Sequence, residues 1–145
     1  MTSWRQKGSD IFGEAAKDYS GNSISCSGDG SIIAIGAYYN DSHGTNTGHV
    51  RIFRNINDTW TQVGSDIDGE AERDNSGTSI SLSDDGSVIA IGAQNNDGNG
   101  TNSGHVRIFR NINDTWTQVG SDIDGESAFD FAGNAVSLSS DGSVI

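Results

Sequence analysis

Thr78-Ser-Ile-Ser-Leu-Ser83 is followed by Asp84-Asp85-Gly86 and then by Ser87-Val-Ile-Ala-Ile-Gly-Ala93. The first segment alternates apolar Ile80 and Leu82 with serines, the period-two pattern of a strand with one face more deeply buried. Asp85-Gly86 is a dipeptide expected to supply two residues of positive φ to a tight hairpin turn. The run from Ser87 to Ala93 is apolar and of strand length, as expected of a strand covered on both faces. Working outward, Gly104-His-Val-Arg-Ile-Phe-Arg110 reads as a third strand rich in β-branched and aromatic residues. Asn111-Ile-Asn-Asp114 reads as a turn and Thr115-Trp-Thr-Gln-Val119 as a fourth strand. No stretch shows a 3.6-residue period with helix caps. Hairpin-linked antiparallel strands are the reading.

The unit recurs. Trp4, Trp60 and Trp116 stand 56 residues apart, as do Gly8, Gly64 and Gly120. Residues 4–59 laid over 60–115 are identical at 41 of 56 positions, and residues 116–145 begin a third copy. Tandem four-stranded antiparallel units that cannot bury their apolar faces alone predict the blades of a β-propeller, an all-β fold, here about two and a half repeats of an incomplete ring. A β-helix would need shorter, single-coil repeats. The expected division is residues 1–22 as an outer strand and loop, 23–66 and 79–122 as blades, and 134–145 as the first two strands of a further blade. Because Ser143-Val-Ile145 stops inside a run that continues in both earlier copies, the C-terminus is read as a cut. The N-terminus is read as either genuine or internal.

The composition narrows the partners. Only 32% of residues are apolar, Gly numbers 20, Pro is absent, and the net charge is −12. Nucleic acid and anionic membrane surfaces both require a Lys/Arg excess, so neither is an expected partner. No apolar run approaches the roughly 20 residues that span a bilayer, so membrane insertion is not expected either. Met1 to Lys7 contains no apolar core of a secretory signal. One cysteine excludes an internal disulfide framework.

The unit resembles the FG-GAP repeat of integrin-α-type propellers. The matching residues are Asp18-Tyr-Ser-Gly21 with Ile24, Asp74-Asn-Ser-Gly77 with Ile80, Asp130-Phe-Ala-Gly133 with Val136, Gly36-Ala37 and Gly92-Ala93, and Gly48-His-Val and Gly104-His-Val. The Phe before Gly is replaced by Ser20, Ser76 and Ala132, and the Pro after Gly-Ala by Tyr38 and Gln94. The resemblance implies a non-enzymatic binding or adhesion module at the cell surface or outside the cell, presenting loops on one face to a protein or glycan. Two alternatives stand beside it: a purely structural array, and a WD-repeat-like interaction scaffold. The latter family has a shorter period and a Trp-Asp dipeptide that this chain lacks. Further blades of a longer protein, or self-association through open strand edges, are the other expected partners.

In an up-and-down blade the connections after strands two and four share an end, which here gathers residues 66–78 and 94–104. Ten of the 15 differences between the first two copies fall in these segments or their equivalents. The candidate ligand face is therefore Tyr19, Tyr38, Tyr39, Asp68, Arg73, Gln94, Asn95, Phe129 and Phe131. Asn95, Asp97 and Asn99 before Gly100 imitate the alternating oxygens of a calcium loop, but one carboxylate is a poor cage, so weak calcium binding is the most expected and no cofactor is required. Asp66, Asp68, Glu70 and Asp74, partly repeated at Asp122, Asp124, Glu126 and Asp130, form the densest acidic group, read as turn-capping and solubilising. Because His49 and His105 recur at the same strand-entry position of successive units, they read as structural. Cys26 aligns with Leu82 and Leu138 and reads as a small core residue. The three tryptophans read as inter-blade anchors, and Arg51, Arg54, Arg107 and Arg110 as partners of the acidic excess between blades. No set of residues unique to one unit suggests catalysis.

Overall fold

The computed structural model describes residues 3–145. It contains ten strands: β1 (Ser23–Cys26), β2 (Ile32–Ala37), β3 (His49–Ile56), β4 (Thr59–Gln62), β5 (Ile67–Asp68), β6 (Ser79–Leu82), β7 (Val88–Ala93), β8 (His105–Ile112), β9 (Thr115–Gln118) and β10 (Ile123–Asp124). They form two antiparallel sheets of the same design, β1-β2-β3-β4 with β5 also on β3, and β6-β7-β8-β9 with β10 also on β8. These are successive propeller-type blades, and the chain is all-β. The fourth strand of each blade is interrupted. It pairs with the distal half of β3 from Thr59 to Gln62, and rejoins its proximal end at Ile67↔Val50 and Asp68↔His49. The sheets therefore run to Asp68 and Asp124, two residues beyond the expected ends of the blades.

Two turn chemistries join the strands. In the Ser83–Gly86 turn the Gly86 amide bonds the Ser83 carbonyl at 2.9 Å, and Gly86 alone takes a positive φ, +70°. Asp85 was expected to share that conformation; instead its carboxylate accepts from Ser83 Oγ at 2.7 Å and from the Ser87 amide at 2.9 Å. A carboxylate that ties both sides of the turn removes the need for a second left-handed residue. The paired positive φ belongs to the β3–β4 and β8–β9 hairpins, at Asn57 and Asp58 (50° and 61°) and at Asn113 and Asp114 (51° and 60°). Asn and Asp tolerate this conformation, and it matches the twist of a two-residue hairpin.

The core lies between the sheets. Ala34, Val50, Ile52, Val63 and Ile67 of the first blade pack against Ile80, Leu82, Ile89, Ile91 and Phe109 of the second, with half-buried Ile32 and Trp116 at its margin. Period two decides this: Ile89 and Ile91 point from β7 toward the first blade, and Val88 and Ala90 point the other way. At the inner edge Ser25 Oγ accepts the Leu82 amide at 2.9 Å and Ser23 Oγ donates to the Gly77 carbonyl at 2.6 Å. The same bonds recur one unit on, from the Leu138 amide to Ser81 Oγ and from Ser79 Oγ to Gly133.

Four expectations change. Cys26 is exposed, and its neighbour Ile24 is 59% exposed whereas Ile80 is 9% exposed. The face of β1 that carries them is the one that, on β6, is covered by the preceding blade. Residues 134–145 form no strand. They keep the turn, with Gly142 bonded to Ser139 and Ser139 to Val144, but supply only two of the six positions equivalent to β7, Val144 and Ile145. Residues 3–22, expected to carry an outer strand, likewise form none. Trp60 and Trp116 do bridge units, each half-buried, through bonds from Nε1 to the carbonyls of Lys7 at 2.8 Å and Val63 at 3.0 Å. Trp4 is fully exposed.

Candidate functional site

The connections after strands two and four meet at one end, as the strand order requires. Residues 73–76 of the second unit lie along residues 45–47 of the first. The amides of Arg73, Asn75 and Ser76 bond the carbonyls of Thr45, Asn46 and Thr47 at 2.8, 3.1 and 3.0 Å. Phe129, Phe131 and Ala132 repeat this on Thr101, Asn102 and Ser103. The pairing needs left-handed backbone on both sides of the central aspartate. Lys17 and Tyr19, Arg73 and Asn75, and Phe129 and Phe131 all have φ between 52° and 76°. Bulky residues seldom adopt this conformation, which costs on the order of 1 kcal/mol or more each. The inter-unit ladder accompanies it at Arg73, Asn75, Phe129 and Phe131, whereas Lys17 and Tyr19 keep it with no such bond among the described residues.

Under this ladder sits a buried polar pair. Asp18 accepts from Asn40 Nδ2 at 2.9 Å, and Asp74 accepts from Asn96 Nδ2 at 3.0 Å and from the Ala71 amide at 3.0 Å. These bonds fix the two loops to each other. Above them a groove opens at the same place in both units. The first, of about 270 Å³, is lined by Lys17, Tyr19, Tyr39, Asp41 and Asn46 among others. The second, of about 590 Å³, is lined by Glu72, Arg73, Asn95, Asp97, Thr101 and Asn102.

Most of the sequence-predicted face converges here. Tyr19, Tyr38 and Tyr39 form an aromatic cluster with ring centres 4.4–5.6 Å apart, Tyr19 standing edge-on to Tyr39. Burial, and then the neighbouring phenols of Tyr39 and Tyr19, push the Tyr38 hydroxyl above its ordinary pKa. Arg73 and Asn95 share the second groove, where Asn95 Nδ2 donates to Asn75 Oδ1 at 2.5 Å. Half-buried Gln94 takes the position that Tyr38 has in the first unit. Phe129 and Phe131 pair at 6.4 Å in the third copy, both exposed. Asp68 lies beside His43, with Oδ1 3.2 Å from Nδ1.

The three residues that imitate a calcium loop point to different partners. Asn95 bonds Asn75, Asn99 Nδ2 donates to the Gly125 carbonyl at 2.8 Å, and Asp97 Oδ1 accepts the Asn102 amide at 2.7 Å. Asp41 makes the same bond to Asn46 in the first unit, so the aspartate caps a turn of the repeat.

A second constellation lies at the seam between units. His49 is 1% exposed, with Nδ1 3.5 Å from Asp66 Oδ2 and 3.9 Å from Glu14 Oε2. His105 stands likewise 3.5 Å from Asp122 and 3.9 Å from Glu70. Arg51 and Arg107 flank them, with Nη1 3.7 and 3.6 Å from the other oxygens of Glu14 and Glu70. Their Nη2 atoms donate across the seam to the carbonyls of Phe12 at 2.7 Å and Asp68 at 2.6 Å. Arg54 reaches Asp114 at 3.0 Å. Burial, and then Arg107, lower the pKa of His105, against the opposing pull of Asp122, Glu70 and Asp74. Sequence reading treated these histidines as structural because they recur. The missed signal was the Asp-x3-Glu spacing repeated at Asp10 and Glu14, Asp66 and Glu70, and Asp122 and Glu126.

With interlocked blades, Gly-Ala strand ends and Asp-led loops on the page, the family comparison is decisive: the FG-GAP repeat family matches residues 12–53 and 60–109. The chain belongs to the FG-GAP repeat family. No curated protein matches the chain as a relative. Each FG-GAP match takes in an Asp-x-x-Gly loop and reaches from the first into the third strand of a blade, and the second match also includes the end of the preceding blade from Trp60 onward. Among the described residues, no helix is long and apolar enough to cross a membrane.

Proposed function

We propose that this FG-GAP chain is a non-enzymatic, extracellular binding or adhesion module that presents its grooved end to a protein or glycan. The observation that carries the reading is the groove repeated at equivalent positions above an invariant Asp–Asn pair, with different side chains in each copy. Tyr19 and Tyr39 line the first; their counterparts in the second unit are Asn75, which is buried, and Asn95, which lines the groove. A scaffold that fixes backbone while the lining changes suits recognition, because loop residues vary without disturbing inter-blade packing. Exposed tyrosines offer large contact area at small entropic cost. Tyr–OH, Asn and Asp groups beside an aromatic face also match a sugar ring, which has an apolar C–H face and a hydroxyl rim.

The test is binding of the chain to immobilised panels of oligosaccharides and of extracellular matrix proteins, alongside the Tyr38→Ala/Tyr39→Ala variant. Retained melting temperature with loss of the captured probe supports the reading. Loss of binding from Asp29→Ala or Asp85→Ala, at the opposite end, argues against it.

A second reading is a spacing array without a ligand. Its support is the repetition after 56 residues of the serine, tryptophan and arginine bonds that join successive units, which gives each added unit largely the same interface. In that case no probe binds, and the Tyr variant changes only stability.

A further inference from the structure

We propose that each His–carboxylate cluster is a zinc site stapling one blade to the next, with Glu14, His49 and Asp66 as ligands in the first and Glu70, His105 and Asp122 in the second. The ligand atoms of each trio lie within 4.8 Å of one another, one from each residue. The separations from imidazole Nδ1 to the carboxylate oxygens, 3.5 and 3.9 Å, are too long for a hydrogen bond. Metal–ligand bonds of about 2.0–2.2 Å place tetrahedral donor atoms roughly 3.3–3.6 Å apart. The Asp separation of 3.5 Å falls in that range, and the Glu separation of 3.9 Å needs only a small shift of a partly exposed side chain to reach it. Nδ1 of both histidines is buried and has no hydrogen-bond partner among the described residues. A buried imidazole nitrogen facing two anionic oxygens, with nothing donating to it, is an independent sign that a ligand belongs there.

The donor set selects the ion. Calcium and magnesium take oxygen ligands, whereas one imidazole with two carboxylates suits a borderline cation such as Zn²⁺. Arg51 and Arg107 hold the second oxygens of Glu14 and Glu70, the orienting role that outer partners play around metal ligands. Glu14 and Glu70 are each more than two-fifths exposed, which gives the ion a path in and leaves room for a water as fourth ligand. The staple crosses the seam: Glu70 follows β5 of the first blade, while His105 and Asp122 belong to the second. Asp66 and Glu70, four residues apart, would therefore serve two successive ions.

The chelator-washed chain is titrated with Zn²⁺ alone by calorimetry, and its melting temperature is followed with Zn²⁺ and with Ca²⁺. Two zinc equivalents are expected at micromolar Kd or tighter, with a melting temperature raised by Zn²⁺ and not by Ca²⁺. His49→Gln should leave one equivalent, and the variant with His105→Gln added none. Should the histidine variants fail to fold, Glu14→Gln/Glu70→Gln decides: these side chains are partly exposed, so the metal-free melt should be retained while zinc affinity falls at least roughly tenfold. Loading with Co²⁺ should give the visible bands of a four-coordinate site in the chain and not in the glutamine variants. Zinc uptake unchanged in Glu14→Gln/Glu70→Gln, or no uptake beyond that variant's, overturns the proposal and leaves only adventitious binding by an acidic surface.

Discussion

The indole Nε1 of Trp116 donates to the carbonyl of Val63 at 3.0 Å, joining the outer edges of two successive blades. Its ring also lies against Gly64, where an added Cβ would meet Trp116 Cδ1 at 3.0 Å. One residue thus supplies apolar contact and the partner of an otherwise unpaired carbonyl. Trp116→Ala should cost about 3 kcal/mol through lost contact and cavity, and Trp116→Phe about 1 kcal/mol through the lost hydrogen bond. Trp4→Ala should be neutral within about 0.5 kcal/mol, as expected of an exposed site. Urea denaturation of the three variants checks the series.

Two glycines of different need separate backbone crowding from backbone conformation. A Cβ on Gly92 would sit 2.0 Å from the Gly133 carbonyl oxygen and 2.5 Å from Ser79 Oγ. Main chain cannot yield there without opening the seam, so Gly92→Ala should abolish cooperative folding or cost more than about 3 kcal/mol. Gly30 has φ +68° and nothing within 4 Å of its added Cβ. Gly30→Ala should cost only about 1–2 kcal/mol, the penalty of left-handed backbone. Thermal melts of both variants read the difference.

The turn aspartates predict an acid limb. Hydrogen bonds from the Ser31 amide and hydroxyl hold Asp29 down at about 2, and bonds led by Ser139 Oγ and the Ser143 amide do the same for Asp141. Asp85 is lowered by Ser83 and Ser87. With native values depressed below the ordinary 3.8, the unfolded chain takes up protons first as the pH falls. Stability from these turns is therefore complete above about pH 5 and is lost progressively from there to about pH 2. The contribution of these turns to the urea midpoint should be constant from about pH 6 to 5 and fall below that. It comes on top of the slope added by buried His105, whose lowered pKa makes stability decline as the pH drops below 6.5. Asp85→Asn should lower the plateau and make the fall shallower.

Cys26 should react in the native state. Its exposure predicts full modification by a thiol-specific disulfide reagent without denaturant, and a disulfide-linked dimer on non-reducing gels after oxidation. Cys26→Ser should abolish both and leave the melting temperature within about 2 °C, because no packed contact is removed. Slow labelling that waits on unfolding would contradict this.

The blade was legible because its signals are local. Alternation at Ile80 and Leu82, the Asp-Gly turn and the Asn-Asp hairpin each act within a few residues, and the repeat multiplied them. What escaped depends on neighbours. Cys26 and Leu82 align, yet one is exposed and the other buried, since only β6 has a blade against that face. The fourth strand's return at Ile67 and Asp68 is two residues long, too short for periodicity to register. The grooved end could be placed from strand order, and the excess of differences pointed to Tyr39 and Asn95. The seam cluster could not, because Glu14 and His49 are 35 residues apart and meet only when two units dock. Recurrence, which revealed the fold, also made the histidines look ordinary.

The two sides of a blade are unlike: β7 offers Ile89 and Ile91 to the unit before it and Val88 and Ala90 to the unit after. Such an interface has a direction. Two copies that met through these faces could not do so about a two-fold axis, because each surface complements the other and not itself. Every docking would leave one free surface of each kind, so assembly by this route is vectorial. It either curves until its ends meet or continues as a filament.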